Sequence, residues 1–322
     1  MGPTAIAGAA AKRRRRAKLA LALLTAGAWG WAACHNQRAS APVRVVEPAV
    51  FEYTGAFVAP NLTESSGVAV SRQHQGVLWT HNDSKDGPYL YATNLAGEDL
   101  GGYHIAGADA VDWEDLALGP CPWSDGRCLY IADTGDNLMR RRDAAIYILT
   151  EPAVPPTPGR RPMEEVGATR LALRWENGPR DVEAMAVRPR GEILLITKGR
   201  SGYVGVYRVP REAAQGDSAV ARLTDTLDIL PQRNLGRLAT GAALSPNGER
   251  LVVRTYTELY FYRFEADAIV PDGRPCWLGT REPQGEAVDF LDEETLVITS
   301  EAKFGLQGTL ARVRCPPRDE VR

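Results

Sequence analysis

Beyond the N-terminal segment, the apolar positions of this chain fall into short runs broken by turns, and the runs recur. Each copy opens with an acidic or hydroxyl residue. A small apolar stretch follows, then a turn, then a second apolar stretch. The copies begin at Ser66 (SGVAV), Glu114 (EDLAL), Glu183 (EAMAV), Thr240 (TGAAL) and Glu286 (EAVDF), at intervals of 48, 69, 57 and 46 residues. Short strands repeated at such a period predict an all-β fold, a β-propeller. No helix-length amphipathic pattern occurs in this region, and Arg211 to Ala214 is expected to form one turn within a loop.

Each copy continues through a hairpin into a second strand. The clearest is ALSPNGERLVV, where Asn247-Gly248 supplies a tight turn. A third strand, rich in aromatic and β-branched residues, follows at Tyr89, Ile146, Val206, Leu259 and Leu310. More polar outer strands are expected at Arg170 to Trp175 and Thr224 to Leu230. The last copy has room for only three strands before the chain ends. Val43 to Val46 or Phe51 to Gly55 would complete it, closing the ring with an N-terminal strand and removing an open edge. The pattern reads as five blades, with six as the alternative if the segment from 114 to 182 hides a further sheet. Pro152 to Pro162 is a proline-rich excursion within the second copy.

A propeller places the same position of every blade around one channel. Glu114, Glu183 and Glu286 are therefore expected to converge, and to repel one another unless a cation, Lys198 or Arg254 neutralises them. The loops that open on the same face add Asp112, His81, Asn82, Asp83, Asp133, Asp136, Asn137 and Glu301. Oxygen ligands in this number suit a hard cation such as calcium, which takes six to eight of them in irregular geometry. The competing reading is a polar ring that satisfies backbone groups beside a water-filled channel. Asp133-Thr134-Gly135-Asp136-Asn137 alternates ligand-type residues around a glycine. The bidentate Glu of an EF-hand does not follow it, and a turn bonded to its own backbone is the commoner use. His81 with Asp83, or Glu114, is the candidate general base. No GxSxG, HExxH, P-loop or dinucleotide fingerprint is present.

The first 33 residues carry Lys12, Arg13 to Arg16 and Lys18, then an apolar stretch from Leu19 to Ala33. This reads as a signal segment, 1–33. Ala32-Ala33-Cys34 suggests cleavage and lipidation at Cys34, with 34–42 as a tether and 43–322 as one propeller domain. Ordinary secretion is the alternative to a lipid anchor in the bacterial cell envelope. Removing the leader's six positive residues leaves 32 Lys+Arg against 40 Asp+Glu, a net of −8 where the whole chain has −2. That balance disfavours a nucleic-acid partner. Of five cysteines, four remain after Cys34. In an oxidising compartment they can pair as Cys121–Cys128 and Cys276–Cys315. Buried reduced thiols are the alternative.

The strings ESSGVAVS, LWTHNDS, DWEDLALGP, LYIADTGDN, DVEAMAV, LLITKG and GEAVDF resemble those of a group of exported bacterial propeller proteins. More remotely the layout is similar to gluconolactonase-like and phytase-like propellers. That resemblance implies a metal at the channel mouth, with Glu114, Glu183 and Glu286 placed like its ligands. Ser66 and Thr240 interrupt the acidic ring. Two functions follow: a lipid-anchored module binding calcium, a protein, a glycan or a small molecule, or a metal-dependent hydrolase of a lactone or phosphoester.

Overall fold

The computed structural model describes residues 47–84, 86–155 and 161–316. The expected signal segment, Cys34, the tether and Val43 to Val46 lie outside the described residues.

Period-2 apolar runs become five antiparallel units of strands. The first holds Ser65–Val70, Leu78–Asn82, Tyr89–Thr93 and Gly102–Ala106. The second holds Trp113–Pro120, Arg127–Asp133, Ala145–Thr150 and Thr169–Trp175. The third holds Val182–Val187, Ile193–Thr197, Val204–Val209 and Ser218–Leu227. The fourth holds Ala239–Leu244, Arg250–Thr255 and Glu258–Glu265, with the short outer strands Ala268–Pro271 and Cys276–Trp277. Gln284–Phe290, Thr295–Glu301 and Thr309–Arg314 form the fifth, and Val50–Ala56 completes it by pairing antiparallel with Thr309–Arg314. The ring is thus closed by an N-terminal strand.

The first strands of the units touch in cyclic order, and that of the fifth touches that of the first. This is a β-propeller. The stretch Glu164–Gly167 adds a parallel strand to the edge of the first unit. Parallel pairing also joins Thr169–Trp175 to Ser218–Leu227. The core is divided accordingly. Five apolar clusters lie one between each pair of neighbouring units, for example Tyr130, Ile146, Met185 and Leu195 between the second and third. Each fully buried side chain of this size contributes about 1.5–3 kcal/mol, so the units hold one another.

Both expected disulfides form. Cys121–Cys128 closes the long hairpin of the second unit, with Cα atoms 4.9 Å apart. Cys276–Cys315 ties the outer edge of the fourth unit to the end of the fifth, with Cα atoms 5.7 Å apart.

All five first strands carry a β-bulge near their start. Pairing slips between Ser65 and Gly67, Trp113 and Asp115, Val182 and Ala184, Ala239 and Gly241, and Gly285 and Val288. The residues that open the sequence repeat sit at these bulges, and all are buried. Two of them carry hydroxyls that tie unit to unit. Ser66 Oγ donates to Glu114 O at 2.8 Å, and Thr240 Oγ1 donates to Glu286 O at 2.8 Å.

Next to the bulged Glu114, Asp115 reaches across the channel. Its Oδ2 accepts from Met185 N at 2.7 Å and Ala242 N at 3.1 Å, and its Oδ1 accepts from Leu116 N at 2.8 Å. One carboxylate thereby accepts an inner-edge amide from each of the third and fourth units. Burial pushes its pKa well above the carboxylate range against the pull of these three amides. Asp289 Oδ2 does the same for Val70 N at 2.6 Å. Asp115→Ala strips three amide partners and is expected to lower unfolding free energy by roughly 3–5 kcal/mol. A denaturation midpoint unchanged from the parent would show that the carboxylate does not hold the units together.

Candidate metal centre at the channel mouth

First strands begin, and second strands end, at one end of the ring, here called the upper end. Backbone hydrogen bonds join the turns there. Asp83 N donates to Glu64 O at 3.0 Å, and Trp113 N donates to Asp83 O at 2.9 Å. The second bond pins the end of the first unit's second strand against the start of the second unit. Asp83 and Asp112 therefore become neighbours across a unit boundary, and the bulge turns Glu114 toward them. The three residues offer carboxylate oxygens that all lie within 4.8 Å of one another. Asp83 and Asp112 are half-buried and Glu114 is buried.

The close packing depends on Gly135. A Cβ at that position would overlap Glu114 Oε1 and Asp112 Oδ2. Asp83 Oδ1 is buried without a hydrogen-bond donor. Burial and the adjacent Asp112 push the Asp83 pKa up to about 8. Burial also raises Glu114 well above its ordinary value, Glu183 and Asp83 add to this, and Lys198 opposes it. Excess negative charge in a site with few donors is what a cation relieves.

Glu114, Glu183 and Glu286 do converge at the upper end, within one another's fields. Their partners differ. Glu183 Oε2 takes the Lys198 ammonium at 2.5 Å, and its Oε1 is buried without a donor. Burial would lower Lys198, but Glu183 and Glu114 hold it protonated above its usual range. Glu286 Oε1 accepts from Gln284 Nε2 at 2.7 Å. Burial, then Glu301 and Glu183, push Glu286 to a pKa of about 8. Glu301 is buried at the same mouth, in the field of both Asp83 and Glu286.

Other expected site residues serve the scaffold. Arg254 does not neutralise the glutamates. Its guanidinium pairs with Glu282 and donates to Ala287 O at 2.7 Å and Thr299 O at 3.0 Å, in space left by Gly285. It clamps the fourth unit to the fifth. Asn82 is consumed by Thr63 N at 3.0 Å, Glu64 N at 2.8 Å, Asn61 O and Asp86 Oδ2. Asp133 accepts from Asp112 N and Arg141 Nη2, and Asp136 accepts from Arg141 N, so the carboxylates of the Asp133–Asn137 turn are bonded to Asp112 and Arg141 rather than to the turn's own backbone. Asn137 accepts from Arg200 at 2.8 Å. His81 is fully buried, its ring edge-on to Trp113 at 5.4 Å. Burial lowers its pKa to about 4, and its Nδ1 faces Asn82 O at 3.0 Å. The imidazole is a neutral packing element in the wall between the first two units. Asp115 was expected on this face and lies on the axis instead, while Glu282 and Asp289 were not among the expected residues.

The lower end of the channel opens into a cavity of about 400 Å³, lined by Val70, Leu116, Ala186, Ala242 and Asp289, one residue from each unit.

No protein-family model matches this chain, and no curated protein matches it. Solved structures with a similar fold include the PQQ-bound aldose sugar dehydrogenase of Streptomyces coelicolor. That likeness has a TM-score of 0.49 and 11% identity, and covers 85% of this chain and 100% of that one. A gluconolactonase from Xanthomonas campestris gives 0.43 and 16% over 85% of this chain and 99% of that one. A glucose dehydrogenase gives 0.45 and 13% over 83% and 100%. At these identities the likeness is one of fold, and the propeller stands on the strand pairing described above.

The raised pKa values of Asp83 and Glu286 set a pH dependence. Both groups titrate near 4 when unfolded and near 8 when folded. Between these values the folded state binds more protons, so stability falls as pH rises from about 4 to about 8 and levels off above. In chelator, urea denaturation is expected to show stability lower at pH 8 than at pH 5 by on the order of 2–4 kcal/mol. A profile that rises over this window would contradict the buried acidic mouth.

Proposed function

We propose that this propeller is an exported binding module, lipid-anchored to the cell envelope through Cys34, that holds a calcium ion at Asp83, Asp112 and Glu114. The carrying observation is the set of three carboxylates with oxygens inside 4.8 Å, one oxygen lacking any donor. Calcium bonds oxygen at 2.3–2.6 Å, so oxygens on opposite sides of the ion lie about 5 Å apart. The three carboxylates leave further coordination positions for water or for a ligand from a protein, glycan or small molecule. Glu183 and Glu286 stand behind as charge rather than as ligands, because Lys198 and Gln284 hold them.

Calcium must displace protons from this mouth, so its affinity rises with pH up to about 8. Millimolar calcium is expected to raise the melting temperature by several degrees over EDTA at pH 8, and by less at pH 5.5. Glu114→Gln and Gly135→Ala should each remove most of that response while leaving the fold intact. Identical melting curves in EDTA and calcium would reject the site.

A second reading is favoured by Glu286, a carboxyl with a pKa of about 8 at the same mouth. Beside a bound cation such a group suits proton transfer in hydrolysis of a lactone or phosphoester. In that case a screen of such substrates would detect calcium-dependent turnover. Glu286→Gln would lower turnover by about 100-fold or more and leave the calcium-induced melting shift in place.

A further inference from the structure

The upper face carries a second feature outside the acidic mouth. Large apolar side chains stand in solvent at three of its loops. Leu138 and Met139 follow the second strand of the second unit, and Leu138 is 70% exposed. Leu235, 76% exposed, precedes the first strand of the fourth unit. Phe304, 88% exposed, and Leu306 follow the second strand of the fifth. All these segments lie at the end where first strands begin, so the tips surround the mouth.

Two of these loops are built to present their tips. Met139 and Phe304 occupy the left-handed region, at φ 51° and 54°, which side-chain-bearing residues seldom adopt. The first loop is fastened beneath its tip by Met139 N to Asp136 O at 2.7 Å and by Arg141, which reaches Asp133 and Gly135 O. The second is closed by reciprocal backbone bonds between Lys303 and Leu306, at 3.1 and 2.9 Å. Flexible loops that could fold their apolar groups inward are not what these bonds produce.

Basic residues stand beside both tips. Arg140 and Arg142 follow Leu138-Met139, and Lys303 precedes Phe304; all three are exposed. Val111, by contrast, is exposed between Asp109 and Asp112 and shares none of this pattern. Apolar tips with cationic flanks match the layered chemistry of an anionic bilayer. Acyl chains receive the tips, and phosphate headgroups receive the guanidinium and ammonium groups. The carboxylates of the mouth are less exposed than the tips: Glu114, Glu183, Glu286 and Glu301 are buried, and Asp83 and Asp112 half-buried.

We propose that the upper face is a peripheral docking surface for an anionic lipid bilayer, with the tips at 138–139 and 304–306 entering the interface. The inference is independent of the cation site, and the test is run in EDTA. A cysteine placed at Phe304 in the full chain is labelled with an environment-sensitive fluorophore. The same label at Val220, exposed on an outer strand, is the control. The parent chain labelled in parallel subtracts any signal from Cys34. Because the readout is local to the loop, attachment of the chain through its N-terminal segment cannot imitate it.

With vesicles of phosphatidylcholine and phosphatidylglycerol, the label at 304 should shift to the blue and be quenched by brominated lipid, while the label at 220 should not respond. Charge reversal at Arg140, Arg142 and Lys303 together should weaken the 304 response by roughly tenfold or more. Equal signals at 304 and 220, an equal response on pure phosphatidylcholine, or indifference to charge reversal would each overturn the proposal. So would a blue shift that grows with protein concentration in the absence of vesicles, which would mark self-association.

Discussion

One extra residue at the start of each inner strand governs this molecule. A strand facing a channel leaves a row of backbone groups without a sheet partner, and those groups need other partners. The bulges provide them. By breaking the alternation of the strand, each bulge aims one polar side chain along the ring and lets its neighbour meet the axis. At Ser66 and Thr240 the aimed group is a hydroxyl, which donates to the carbonyl of the next bulge. At Glu114 the aimed group is a carboxylate, and the neighbour Asp115 accepts amides from two other units. The same irregularity closes the ring and gathers the charge.

The fold was legible because its signal is repetitive. Five copies of a short apolar pattern, each opened by a polar residue, lead directly to five inner strands in cyclic contact. Ring closure by a strand near Phe51 was also legible, since the last copy lacked a partner and an open edge is a liability. Both disulfides were among the readings that cysteine parity and an oxidising compartment allowed, beside that of buried thiols. Less was readable where function depends on which way a side chain turns. Arg254 looked like a neutralising cation for the glutamates. It points instead at Gly285, Glu282 and two carbonyls, and neither the glycine's role as a vacancy nor the distance to Glu282 has a periodic signature. His81 was a candidate general base in a loop on the upper face, yet it is buried in a wall against Trp113.

The carboxylate cluster at the mouth shows the same limit in another form. Radial reasoning groups equivalent positions, and it brought Glu114, Glu183 and Glu286 together. The tightest carboxylate set is not radial. Asp83 follows the second strand of one unit, Asp112 precedes the first strand of the next, and Trp113 N on Asp83 O holds the seam between them. A pairing rule was available in the chain: the residue closing strand two of one repeat meets the residue opening strand one of the following repeat. Applied to the third and fourth units it joins Lys198 to Ala239, and Ala239 supplies no charge. The seam between the first two units is where that rule brings two carboxylates to a glutamate-bearing bulge.

Partition of hydroxyls and carboxylates around the ring then has a physical rationale. A serine or threonine at a bulge can donate and so can fasten the next unit by itself. A glutamate at a bulge offers no hydroxyl to the carbonyl of the next unit, so each one removes a tie and brings a titratable carboxyl into the mouth. The ring tolerates three of them because the missing ties are supplied elsewhere: Asp115 from the second unit to the third and fourth, Asp289 from the fifth to the first, and the Lys198 carbonyl, which accepts from Ala239 N, between the third and fourth. Serine or threonine at all five bulges would be less strained electrostatically. The acidic mouth carries its own repulsion, and that repulsion is what a divalent ion at Asp83, Asp112 and Glu114 would convert into binding energy.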